Sequence, residues 1–453
     1  MVVSGADDGY RELGEAAWSW VLAQVREDEG PWLPETVPES ASEDGRDTAP
    51  PKDRDGLYSG IAGLAPILAE ITRYRELTER ERSLASGIVT RLSSEAKDRT
   101  EPSLYNGLAG DAVALRLLAP GTESVALRRL AGLATPGGWR TTVDFEKGSD
   151  APLNDIIMGT AGVVLTAVWA GGEFAEPIAT TGCEALLRVA DRTEAGLDWG
   201  IGATTEWRAP NYSHGTAGVA SALAVAGAAL GREDFVEAAV RGAQHVLSVG
   251  RLDDGGFVVP HTVPPSKREV EPVTYTWCHG PAGTSHLFAA LAHAGVPEVS
   301  ELGVGELRQR CLTSILTSGV PQRLRPGFWD NDGRCCGTAG VGDVLLDAAQ
   351  DSRDTDTADA AETLVRAARG MGDALVERAV RDEAGARWRF VEYRQEHPLL
   401  PPGTAWMQGA AGIAAYLLRL ARFIETGAGA EVVDRPDQWW AVPERLRVTG
   451  GTA

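Results

Sequence analysis

The chain has 453 residues, 43% of them apolar, enough to build a large buried core. Its 64 acidic residues outnumber 43 Lys and Arg, and the resulting net charge of −21 disfavours nucleic acid and anionic membrane, both of which recruit cations. No apolar run reaches the ~18 residues of a membrane span, and five cysteines with no secretion signal ahead of them are expected as thiols or metal ligands of a cytoplasmic protein rather than as disulfides.

The first expected helix runs from Tyr10 to Arg26. Glu27 to Asp53 is acidic and contains several prolines, so residues 1–52 read as a partly ordered lead-in segment. A repeat then sets in. Gly-x-Ala-Gly occurs seven times, beginning at Gly60, Gly107, Gly159, Gly215, Gly280, Gly337 and Gly409, a spacing of roughly fifty to seventy residues that is close to helix-pair repeats. Each copy precedes an apolar run expected as a helix: Leu64 to Ile71, Ala112 to Leu118, Val163 to Trp169, Val219 to Leu230, Thr284 to Ala294, Val341 to Ala349 and Ile413 to Phe423. Amphipathic stretches with apolar residues at three and four lie between them, as in Glu81 to Leu92, Phe235 to Val249 and Thr357 to Val380. Strand signals are confined to Arg387 to Tyr393 and Gly256 to Val259.

The expected fold is therefore all-α, with residues 53–430 as one domain and 431–453 as a tail. Seven outer and seven inner helices bury their apolar faces by closing into an α/α toroid; an open solenoid is the alternative. The repeat glycines are expected to let inner helices pack closely at a crowded centre.

A ring brings all seven helix starts to one mouth. The two residues before the first glycine are then Tyr58-Ser59, Tyr105-Asn106, Ile157-Met158, Ser213-His214, Cys278-His279, Cys335-Cys336 and Met407-Gln408. Three consecutive repeats thus place His, Cys-His and Cys-Cys together. Zn²⁺ prefers thiolate and imidazole, and a catalytic site has three protein ligands and an open position, which Cys278, Cys335 and Cys336 would supply. A Cys335–Cys336 disulfide is the strained alternative. Cys183 and Cys311 lie outside this phase and are expected as ordinary buried thiols. His214 suits acid–base work because imidazole titrates near neutrality. Asp155, four residues before Gly159, either faces the same mouth or caps a helix. His279 either replaces a cysteine as ligand or stacks elsewhere, and His286 and His293 are expected to pack.

With Trp277-Cys278-x-Gly, Cys335-x-Gly, Ser213-His214-Gly215 and Asp155 on the page, the chain resembles the lanthionine synthetase C-like cyclases over about residues 50 to 430. The resemblance implies a seven-plus-seven α/α toroid around zinc that closes thioether rings, adding cysteine thiols of a precursor peptide to dehydroalanine or dehydrobutyrine. It carries the zinc ligands to Cys278, Cys335 and Cys336, the acid–base histidine to His214 and an aspartate to Asp155. Three cysteines, in place of two cysteines and a histidine, resemble a subgroup within larger lanthipeptide synthetases. Some members carry Arg where this chain has Thr274, a role that would pass to Lys267, Arg268 or Arg334, and Tyr often stands at the position of His279. About fifty residues ahead of the array leave no room for a kinase or lyase domain, so dehydration of the peptide is expected from a separate dehydratase. The other readings are addition of glutathione or another small thiol to dehydroamino acids, an inactive zinc-stabilised peptide-binding scaffold, and a toroid enzyme of prenyltransferase or glycosidase type. The last would need paired carboxylates at the mouth.

Overall fold

Each Gly-x-Ala-Gly starts a helix directly above its own loop. The computed structural model describes residues 7–38, 50–142, 151–202, 205, 207–266, 270–351, 358–393 and 395–438. A Cβ placed on Gly215 would lie 1.4 Å from the Ala209 carbonyl oxygen, and one on Gly218 would lie 1.9 Å from that of Tyr212. The expected packing between inner helices is present but secondary: over Gly218 the Ile156 side chain of the preceding repeat approaches to 2.9 Å, farther than the loop carbonyl below. The same carbonyls accept the first-turn N–H groups. Thr216 donates to Ala209 at 3.1 Å and Ala217 to Pro210 at 3.3 Å, and Thr338 and Ala339 repeat this on Asn331 and Asp332 at 3.3 and 3.1 Å. Helix starts leave such donors unsatisfied unless something caps them, and no side chain caps Gly107, Gly159, Gly215, Gly280 or Gly409. Tetrapeptide and loop are one structural device.

In chain order the helices are α1 (Asp7–Gln24), α2 (Leu64–Ile71, after a 3₁₀ turn Ile61–Gly63), α3 (Glu79–Glu95), α4 (Leu108–Leu118), α5 (Ser124–Leu133), α6 (Thr160–Ala170), α7 (Ala175–Val189), α8 (Thr216–Leu230), α9 (Glu233–Val249), α10 (Pro281–His293), α11 (Val304–Thr317), α12 (Thr338–Asp351), α13 (Ala358–Arg378) and α14 (Ala410–Thr426). The described strands form five two-stranded antiparallel hairpins. Of the expected strands, Gly256–Val258 pairs with Arg251–Asp253, whereas Arg387 and Phe390–Val391 fall into two different hairpins. Helices that follow a repeat glycine are buried along most of their length, α6 at every residue, although α12 and α14 carry the buried charges of Asp343, Asp347 and Arg419. The amphipathic ones bury a stripe, as α9 does with Phe235, Ala238, Ala239, Gly242, Ala243 and Val246.

The chain divides into two compact units, residues 1–92 with 318–433, and residues 93–317 with 434–453. In the second, α4, α6, α8 and α10 pack as successive neighbours, backed by α5, α7, α9 and α11. In the first, α14 packs between α12 and α2, α13 backs α12, and α1 lies along α14. The N-terminal helix, read from the sequence as part of a lead-in, therefore serves as the outer partner of the last inner helix. Its Leu13, Ala17, Trp18 and Val21 are buried. Residues 32–37 also pack here, with Trp32 and Leu33 buried and Val37 N–H donating to the Pro402 carbonyl at 2.9 Å. Residues 39–49 and 439–453, the rest of the expected lead-in and most of the tail, lie outside the described residues.

Candidate active site

The loops ahead of the repeat glycines are laced to one another through their backbones. In the second unit Tyr105 N–H donates to Ile157 O at 3.3 Å, Ile156 N–H to Ser213 O at 3.2 Å and Ser213 N–H to Cys278 O at 3.0 Å. In the first, Cys335 N–H donates to Met407 O at 2.8 Å and Met407 N–H to Tyr58 O at 3.2 Å. The last bond links the seventh loop to the first, and Gln408 Nε2 adds a donor to the Tyr58 hydroxyl at 2.8 Å. Residues far apart in sequence are thereby held in one phase.

Cys278 lies in the second unit and Cys335 and Cys336 in the first, each within two residues of a repeat glycine. Cys278 and Cys335 are buried and Cys336 is half-buried. Three soft sulfurs are the kind of donor set that suits a zinc with a free coordination position. All five cysteines are free thiols, with no Cys335–Cys336 disulfide. Cys183 and Cys311 are fully buried, and burial pushes both thiols well above the usual cysteine range, as expected of inert core residues.

His214 and Asp155 come together. His214 Nδ1 is 2.6 Å from Asp155 Oδ2. Asp155 is completely buried, while a quarter of the His214 side chain is exposed. The other carboxylate oxygen accepts Met158 N–H at 3.1 Å within its own loop, and α6 starts after Gly159 with no side-chain cap, so Asp155 does not cap that helix. A carboxylate at Nδ1 puts the proton on that nitrogen and leaves Nε2 facing away to exchange a proton. The His214 backbone N–H is fixed by Asn211 Oδ1 at 3.2 Å.

His279 lies beside the cysteine group, with Nδ1 3.0 Å from Cys278 Sγ and ring centroids 3.8 Å from His261 and 5.8 Å from His214. His261, Asn211 and Thr276 escaped the sequence reading because none occupies the position just before a glycine. Only contact reveals them. His286 packs against Tyr212 as expected, at 5.0 Å between rings, whereas His293 is exposed at the last turn of α10 rather than packed. Arg334 is turned away from the substitute role expected of it. Its buried guanidinium pairs with Asp343 and lies 4.3 Å over the Trp406 ring. Lys267 and Arg268 lie outside the described residues.

A family model described as lanthionine synthetase C-like protein matches residues 51–426. No curated protein matches the chain. Among solved structures, nisin cyclase is similar at a TM-score of 0.52 and 15% identity, covering 86% of this chain and 93% of its own. A structure of UGL with dGlcA-Glc-Rha-Glc is similar at a TM-score of 0.44 and 16% identity, covering 92% of this chain and 97% of its own. The fold is the α/α toroid, the closed alternative to a solenoid, in keeping with the packing of α14 on α2. No described helix is long and apolar enough to cross a membrane.

Proposed function

Because this chain belongs to the lanthionine synthetase C-like family, we propose that it is a zinc-dependent cyclase acting on a dehydrated precursor peptide. In this reading it adds cysteine thiols of that peptide to dehydroalanine or dehydrobutyrine and forms lanthionine and methyllanthionine rings. The family match, with Cys278, Cys335 and Cys336 each just before a repeat glycine as the three ligands, carries the reading. Zinc bound there would lower the pKa of a substrate thiol so that it reacts as thiolate near neutral pH.

The residues of the chain divide the remaining work. Cys278, Cys335 and Cys336 would hold the ion. The S–Cβ bond forms as the C=C π pair moves towards the carbonyl, and the thiol proton has already left to solvent. His214 Nε2 delivers a proton to Cα, restoring neutrality of the product. Asp155 keeps the His214 ring oriented and offsets the imidazolium charge. The dehydro residues would come from a separate dehydratase.

Zinc stoichiometry of the wild type and of Cys336→Ala, with thiol consumption followed on a dehydrated Cys-containing peptide, tests the reading. One zinc per chain, lost together with thiol consumption in the variant, is expected. Full cyclisation without bound metal would overturn it. Turnover of free glutathione with no turnover of the peptide thiol would replace peptide cyclisation with small-thiol addition.

A further inference from the structure

We infer that His279 is a positioning residue of the metal centre, its Nδ1 directed at the Cys278 sulfur and holding that ligand in place. The inference rests on the metal reading above.

Three observations carry it. First, His279 Nδ1 stands 3.0 Å from Cys278 Sγ, inside hydrogen-bond range for sulfur. A thiolate that binds a metal has no proton to give, so the proton of this contact sits on Nδ1. Second, the sulfur has another potential donor in its own loop, Thr276 Oγ1 at 3.3 Å, and the same hydroxyl accepts His279 N–H at 3.3 Å. The loop thus closes around one ligand atom from two sides. Third, the imidazole has contacts that fix its plane. The His261 ring packs on it at 3.8 Å between centroids, and the His261 carbonyl is held by Asn211 Nδ2 at 3.1 Å. Asn211, fully buried, also holds the backbone of His214 through Oδ1. One asparagine therefore ties the loop bearing the proposed proton donor to the ring beside the metal ligand.

The chemistry gives the contact a purpose. Three thiolates leave a zinc centre with a formal charge of −1, and a substrate thiolate makes it −2. An N–H aimed at one sulfur draws off part of that charge and lowers the repulsion among ligands. Partners of this kind orient metal ligands, and their loss typically costs 10–100-fold in metal affinity or activity. His279 is not placed as a fourth ligand here. Its Nδ1 faces the Cys278 sulfur.

The test uses the intact chain and two readouts other than turnover. Zinc affinity is measured by competition with a chromophoric chelator, and cobalt(II) alone is bound to read the sulfur-to-metal charge-transfer band. His279→Ala is expected to weaken zinc binding about 10- to 100-fold and to shift the cobalt band. His279→Asn, whose Nδ2 can stand where Nδ1 does, is expected to bind close to wild type. Alanine binding as tightly as wild type with an unchanged band would overturn the inference. Asparagine as weak as alanine would do so too, because the ring and not its N–H would then be what matters. A wild type that binds neither ion would bring down the metal reading itself, and this inference with it.

Discussion

Asp155→Asn is the most informative single change to the acid–base pair. The substitution keeps size and shape, and the residue is completely buried, so little else responds. Its amide oxygen can still accept Met158 N–H, as Oδ1 does now at 3.1 Å. That choice forces the NH₂ towards His214 Nδ1, where the carboxylate oxygen now lies at 2.6 Å. A donor facing a donor is not tolerated, so the imidazole must move its proton to Nε2 or turn away. Either outcome removes a hydrogen bond to a charged group, about 1.5–3 kcal/mol of stabilisation for the imidazolium form. At tenfold per 1.36 kcal/mol this lowers the cyclisation rate about 10- to 150-fold. Single-turnover thioether formation on a dehydrated peptide reads the rate, and zinc content and the thermal midpoint serve as controls. Zinc should stay at the wild-type level, because Asp155 touches none of the three cysteines among its observed partners. A variant that cyclises within twofold of wild type would refute the dyad argument.

Gly218→Ala should destabilise the fold by about 1–3 kcal/mol through overpacking, because the new Cβ would meet the Tyr212 carbonyl at 1.9 Å and no side-chain rotation relieves a backbone clash; a thermal midpoint equal to wild type would show that the loop yields freely. Arg419→Ala removes a guanidinium from buried Asp343 and Asp347 on α12, Asp343 keeping its pair with Arg334, and should cost about 3 kcal/mol in denaturant unfolding, the low end for breaking a buried pair; a loss below about 1 kcal/mol would show that water reaches the carboxylates. Burial alone would raise the Glu81 carboxyl, but hydrogen bonds from Arg75, Thr78 and Trp18 pull it down to about 2. A depressed carboxyl contributes stability that is full above its unfolded value and is lost as pH falls from about 4.5 towards 2. Arg75→Met should flatten that part of the stability–pH curve, and urea midpoints between pH 5 and 2 check it.

Much of the molecule was legible because it is written in local pattern. The run after each repeat glycine announces a buried helix, since a segment that is apolar nearly all round has little face to offer water. The shared phase of His214, Cys278, Cys335 and Cys336 names the candidate residues, since equal offsets before equivalent helix starts mean equal places in the repeat. Three things needed the folded chain. The Tyr10–Arg26 helix is ordinary as a sequence, and only its packing along α14, some four hundred residues away, gives it a place in the array. The repeat glycines look like helix-packing residues because sequence shows their size and not what fills the space. The structure fills it first with the carbonyls of their own loops. Asp155–His214 and His279–Cys278 are contacts between or within loops whose side-chain directions no periodicity encodes. Arg334 shows the converse, a charge whose neighbours in sequence pointed to the mouth and whose partner, Asp343, turned it inward. Residue types and spacing determined the chemistry available to this protein. Which of those groups touch was decided by tertiary packing, because a hydrogen bond depends on distances that the chain sets only once its loops have closed.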